Sequence, residues 1–100
     1  MPMALATTTL GRDFGHAALI GRALGDPKRL CVLERLTAGE ASVGELSQTI
    51  GCQVPNMSQH LAVLRNAGLV TTRRECSTVY YRLADERVEE IYRLLASLAH

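Results

Sequence analysis

Residues 42–83, SVGELSQTIGCQVPNMSQHLAVLRNAGLVTTRRECSTVYYRL, decide how this chain is read. Ser42 and Glu45 form an S-x-x-E pair, in which hydroxyl and carboxylate satisfy each other's free backbone donors, so a helix starts here. Val43, Leu46 and Ile50 face inward along it. Gly51 supplies the positive φ needed to leave that helix at a tight angle. The next helix starts near Gln53–Pro55, where a proline is tolerated because first-turn amides have no helical partner. Met57, Leu61 and Leu64 form its buried stripe and Gly68 stops it. Leu69-Val70 leads into one strand, Glu75-Cys76-Ser77 turns, and Val79–Leu83 returns as the other.

Upstream, Gly25-Asp26-Pro27 punctuates two further helices: Gly ends one, Asp caps the next and Pro takes its first position. The earlier of these, Asp13 to Leu24, carries Phe14, Ala17, Ala18, Gly21 and Leu24 at helical spacing, with Leu10 just ahead. The later runs to about Thr37 and buries Leu30, Leu33 and Leu36, after which Ala38-Gly39-Glu40 forms a loop. Downstream, Asp85 caps a last helix with Val88, Ile91, Tyr92, Leu95 and Leu98 at amphipathic spacing. Residues 1–9 lack periodicity and read as a flexible N-terminal tail, leaving 10–100 as one domain without repeat or linker.

Composition agrees with packed helices. The chain is 47% hydrophobic but only 4% aromatic, so its apolar content is mostly Leu, Ala and Val. So much aliphatic surface on one hundred residues suggests burial against a second copy. Net charge is only +1, yet it is unevenly spread. Arg65, Arg73, Arg74 and Arg82 face Glu75 alone between Gln53 and Arg82, whereas Asp85, Glu86, Glu89 and Glu90 surround Arg87. That distribution fits a protein presenting one face to a polyanion. No stretch reaches the roughly 18 apolar residues of a membrane helix, and the N-terminus has no signal-peptide pattern. Three unpaired-looking cysteines argue against a disulfide framework, and the chain reads as soluble and cytoplasmic.

Helix, turn, helix and arginine-bearing hairpin is the layout of a winged helix-turn-helix, in a mainly α fold with a small β-hairpin. The second helix of such a motif enters the major groove with its N-terminal residues on base edges. Here it offers Gln53, Asn56, Ser58, Gln59 and His60; amides engage adenine bidentately and serine bonds to several bases. The alternative for Ser58 and His60 is a role in local packing or as backbone partners. Arg73, Arg74 and Thr78 flank the hairpin turn, as expected of a wing on the sugar-phosphate backbone, although strand alternation lets only one arginine make the closest contact. Arg65 suits either a phosphate clamp or a salt bridge.

LGDPKRLCVLERL, SVGELSQTIG…MSQHLAVLRNAGLV and TTRRECSTVYYRL together resemble the ArsR/SmtB-type bacterial repressors, nearly throughout residues 20–98. The resemblance implies a homodimer built by the first and last helices, with Leu10, Phe14, Ala17, Ala18, Ile91, Leu95 and Leu98 in its interface. It implies double-stranded, inverted-repeat operator DNA as partner and an effector that lifts repression. The SQHL segment resembles the branch that includes sulfur and redox responders.

The family's metal sites do not carry over. Its Cys-x-Cys pair falls where this chain reads Ser42-Val43-Gly44. Its last-helix site matches only at Asp85, the following positions being Arg87 and Leu98, and zinc needs roughly three or four ligands. Asp85 therefore reads as a helix cap, and no metal or other cofactor is expected. His16 and His100 could meet across a dimer, but surface histidines are the simpler reading. The persulfide-responsive members carry a second-helix cysteine where this chain has Glu34, and a last-helix cysteine that is missing here. Cys52 reads as a small core residue, and the candidate sensor thiols are Cys31, one turn earlier in the second helix, and Cys76 at the hairpin tip, where Arg73 and Arg74 favour a thiolate and Glu75 opposes it. The chain lacks a Gly-rich phosphate loop or a G-x-S-x-G nucleophile, so it is not read as an enzyme. The rival reading is a winged-helix interaction module without operator binding.

Overall fold

A computed structural model describes residues 13–99. The elements are α1 (Phe14–Ala23), α2 (Pro27–Thr37), β1 (Ala41–Ser42), α3 (Val43–Ile50), α4 (Val54–Asn66), β2 (Val70–Glu75), β3 (Thr78–Leu83) and α5 (Glu86–Leu98). The expected tail, Leu10 and His100 lie outside the described residues.

Helix starts follow from short-range hydrogen bonding by the residue just ahead. Asp13 Oδ1 accepts the amide of His16 at 2.9 Å, and Asp26 Oδ1 those of Lys28 at 2.8 Å and Arg29 at 3.1 Å. Pro27, which has no amide to satisfy, occupies the first turn of α2. At α3 the capping box is complete: Glu45 N donates to Ser42 Oγ at 3.2 Å and Ser42 N to Glu45 Oε1 at 2.8 Å. Helix ends use glycine where the chain must turn left-handed. Gly51 (φ 78°) closes α3, its amide 2.9 Å from Ser47 O. Gly68 (φ 79°) closes α4 with Gly68 N on Arg65 O and Leu69 N on Leu64 O, both at 3.0 Å. That pair of bonds is a Schellman motif, and Leu64 and Leu69 are both buried around it.

One small core sits where α2, α3 and α4 meet. Val32, Leu33, Leu46, Met57, Leu61 and Leu64 are fully buried there, with Val70 and Val88 sealing it from the sheet and from α5. Two expectations need correction. Leu30 is only half-buried and Val32 takes its place in the core. Leu30 instead lines an apolar groove of about 520 Å³ with Leu24, Tyr92, Leu95 and Ala96. The β component is also larger than a hairpin: β1 adds a third antiparallel strand, in the order β1-β3-β2. Ala41 pairs with Tyr81 and Ser42 with Tyr80, and the buried Ala41 packs in the core. Two residues carry no usable periodicity, which is why this strand escaped the sequence pattern.

Ser42→Ala removes one half of the capping box and should destabilise the fold by about 0.5–2 kcal/mol in urea denaturation. An unchanged midpoint would show that the cap contributes nothing.

Candidate nucleic-acid interface

Packing α4 by Met57, Leu61 and Leu64 turns its opposite face to solvent. Gln53, Asn56, Ser58 and Gln59 are all exposed on its first two turns. Among the described residues, none of their side-chain donors or acceptors has an intramolecular partner, and the first turn carries no acid. Amides and a hydroxyl held on a rigid helix, at its electropositive end, are chemically suited to base edges and phosphates. Val54 also belongs to this face: 47% exposed at the start of the helix, it offers an apolar contact of the kind a thymine methyl takes. It went unnoticed in the sequence because a valine at helical spacing reads as core.

His60 departs from this set. It is half-buried, with Nδ1 3.3 Å from Arg29 Nη1 and 3.9 Å from Asp26 Oδ1, so the ring turns back onto α2. Arg29 in turn donates from Nε to Ala23 O at 2.7 Å and from Nη2 to Arg22 O at 2.9 Å. The local-packing alternative therefore describes His60. Ser58 stays exposed. Arg65 is exposed in the last turn and has no acidic partner among the described residues, which removes its salt-bridge alternative.

The two hairpin arginines differ. Arg73 donates from Nε to both carboxylate oxygens of Glu40, at 2.9 and 2.7 Å, and its Nη1 lies 3.5 Å from Glu75 Oε1. Its guanidinium carbon sits 5.0 Å from the Tyr80 ring centroid, a cation–π distance. Hydrogen bonding by Arg73 holds the Glu40 carboxyl below its ordinary value, and Glu40 reciprocally raises Arg73. Arg74 is exposed, opposite Val79, and pairs with no acid among the described residues. Thr78 is half-buried opposite Glu75. Cys76 is exposed at the tip with φ 55°, the conformation that tight two-residue hairpin turns demand. Glu40 was passed over as a loop residue, since a partner 33 positions away leaves no local trace.

Phe14, Ala17 and Ala18 of α1 and Ile91, Leu95 and Leu98 of α5 are exposed. Leu94 joins them at 67% exposure, one turn before Leu98 at 84%. Cys31 is exposed beside Glu34 and Arg35, while Cys52 is half-buried with Sγ 3.6 Å from Gln53 O. Glu34 accepts a hydrogen bond from the Tyr92 hydroxyl, joining α2 to α5 and raising the phenol's pKa. Asp85 accepts from Arg87 N at 2.7 Å and from Arg87 Nη2 at 2.9 Å, so its carboxylate is occupied as cap and ion-pair partner. His16 lines a shallow pocket with Asp85 and Arg87. No group of three or more potential metal ligands occurs among the described residues.

Residues 24–73 match a family model described as a helix-turn-helix domain. The biofilm growth-associated repressor of Agrobacterium fabrum is 40% identical over 83 residues, covering 83% of this chain and 71% of that protein. The transcriptional activator HlyU of Vibrio cholerae is 42% identical over 87 residues, covering 87% and 81%. A solved homodimeric winged helix-turn-helix DNA-binding domain from Mycobacterium bovis, a candidate ArsR-family regulator, aligns with a TM-score of 0.81 at 34% identity, covering 86% and 80%.

The Glu40 contact has a measurable signature. In an NMR titration Glu40 should ionise below its ordinary value of 4.5, and Arg73→Ala should bring it back up. Because the folded-state value is the depressed one, the contact's stabilisation is complete above the ordinary value and is lost as pH falls through the folded value. An ordinary Glu40 titration in the unaltered protein would mean that the pair is not formed in solution.

Proposed function

Because this chain belongs to the ArsR-type family of winged helix-turn-helix transcriptional regulators, we propose that it represses transcription as a homodimer bound to inverted-repeat operator DNA. One observation carries this reading: the exposed, internally unpartnered polar face of α4 stands beside a hairpin whose Arg74 is free of acids among the described residues. Base-edge readout falls to Gln53, Asn56, Ser58 and Gln59, with Val54 as the apolar contact. Arg74, Arg65 and Thr78 are the phosphate-facing groups, which add affinity without sequence choice. His60 supports α4 from behind rather than reading DNA.

The exposed apolar side chains of α1 and α5 are the dimer surface, with Leu94 added to Phe14, Ala17, Ala18, Ile91, Leu95 and Leu98. Two α4 helices related by a two-fold axis then meet successive major grooves, which is why the operator is an inverted repeat. The Agrobacterium relative is named a repressor and the Vibrio relative an activator, and either outcome starts from promoter occupancy. The protein is a regulator rather than an enzyme and works in the cytoplasm; no helix among the described residues is long and apolar enough to cross a membrane.

Gel shifts on DNA from upstream of its own gene test the reading. Gln59→Ala should lose about 1–3 kcal/mol on the operator and little on scrambled DNA. Arg74→Ala should weaken both alike and flatten the dependence of log K on log salt by about one unit. Equal binding of operator and scrambled sequence by the unaltered protein would reject sequence-specific recognition.

The releasing effector is unidentified; a thiol-reactive or redox species is the candidate that the exposed Cys76 at the wing tip and Cys31 on α2 could answer to. A bulky or charged adduct on Cys76 would stand against DNA phosphates. Cys76→Ser should abolish the sensitivity of DNA binding to thiol oxidants, and oxidant sensitivity equal to that of the unaltered protein would exclude Cys76.

A further inference from the structure

Arg73, Tyr80 and Ser42 form one row across the sheet. Arg73 pairs with Tyr80 between β2 and β3, and Tyr80 pairs with Ser42 between β3 and β1. Directly opposite residues in adjacent strands share a face, so the three side chains stand in line. The Arg73 guanidinium lies along that line, 5.0 Å from the Tyr80 ring centroid, and ends on Glu40, two residues ahead of Ser42. Arg73 thus crosses the central strand and fastens the outer strand of the hairpin to the chain segment that feeds α3. The backbone connection over the same gap is short, since β1 pairs with β3 through Ala41 and Ser42 only.

We propose that Glu40 is a wing-positioning residue: through Arg73 it fixes the angle between the hairpin and the helix-turn-helix, leaving Arg74 as the wing's phosphate contact. This assignment rests on the reading that the hairpin meets DNA, and it removes Arg73 from the expected phosphate-binding set. Charge supports it. Arg73 is within ion-pair distance of Glu40 and Glu75, so a phosphate would have to displace two carboxylates to reach it. Such a paired guanidinium releases few counterions on binding, whereas Arg74, on the opposite face and without an acidic partner among the described residues, releases about one. An exposed ion pair adds little to global stability, so its effect should appear in where the wing sits rather than in whether the protein folds.

The test compares Glu40→Ala, Arg73→Ala, their double variant and Arg74→Ala in the full chain. Thermal unfolding and dimer mass should be unaltered in all four. Without DNA, ¹⁵N relaxation of residues 74–78 should show lower order parameters in Glu40→Ala and Arg73→Ala, but not in Arg74→Ala. Operator affinity should fall by about two- to fivefold in either single variant, with no further loss in the double. The salt dependence should keep its slope in these three and flatten only in Arg74→Ala. Deleting an acid near a polyanion favours binding by itself, so a loss in Glu40→Ala runs against simple charge.

Tighter, more salt-dependent binding by Glu40→Ala would overturn the proposal, making Glu40 a competitor for a phosphate-binding Arg73. So would a slope reduced by one unit in Arg73→Ala, or an unaltered hairpin tip in Glu40→Ala. Should the unaltered protein not prefer operator DNA, the operator reading fails, and the relaxation data alone still decide whether Glu40 holds the wing.

Discussion

The pairing of Ala41 and Ser42 with Tyr81 and Tyr80 is the constraint on which the helix-turn-helix and its hairpin depend. Ser42 belongs to β1 by its backbone and is also the N-cap of α3, so one residue terminates a sheet edge and starts a helix. Ala41 beside it is fully buried, which anchors the junction in the core. Everything downstream inherits its orientation from that point. α3 is launched by Ser42, Gly51 turns the chain into α4, and the Schellman motif at Gly68 returns it as β2 to the sheet that contains Ser42. The helix-turn-helix and the hairpin form a closed circuit of backbone hydrogen bonds and apolar contacts rather than two modules on a tether.

What could be read from the residues alone follows the range of the forces involved. Caps, glycine exits and the proline in the first turn of α4 act over four residues or fewer, so Ser42, Gly51, Asp26 and Asp85 announce themselves. Helical stripes such as Met57, Leu61 and Leu64 are equally local. The failures are contacts at long separation. β1 is too short to show alternation and exists because β3, some 40 residues later, lies alongside it. Glu40 and Arg73 meet for the same reason, and a sequence pattern sees only an acid in one loop and a base in another. His60 looked available for DNA because α4 alone leaves it outward; Arg29 of α2 and Asp26, the N-cap of α2, claim it. Leu30 illustrates a subtler limit, because a helical stripe identifies a face but not which edge of that face is sealed.

The chain leaves Phe14, Ile91, Leu94, Leu95 and Leu98 in water while burying a core of small extent. A domain of this size obtains modest stabilisation from such a core, and an apolar flank of this kind is costly to leave exposed. On the proposed reading the two facts have one resolution, in which a second copy covers the flank and adds what the single core lacks. A dimer built on that flank would link folding to assembly through one hydrophobic surface.

The Arg29 side chain gives that linkage a mechanical aspect. Its guanidinium grips the last carbonyls of α1 at Arg22 and Ala23 and leans on His60 in the middle of α4. One side chain of α2 thus bridges α1 and α4. A shift of α1 against α4 would require Arg29 to release its two carbonyls or its contact with His60. Replacing Arg29 would therefore loosen the end of α1 and the middle of α4 at once.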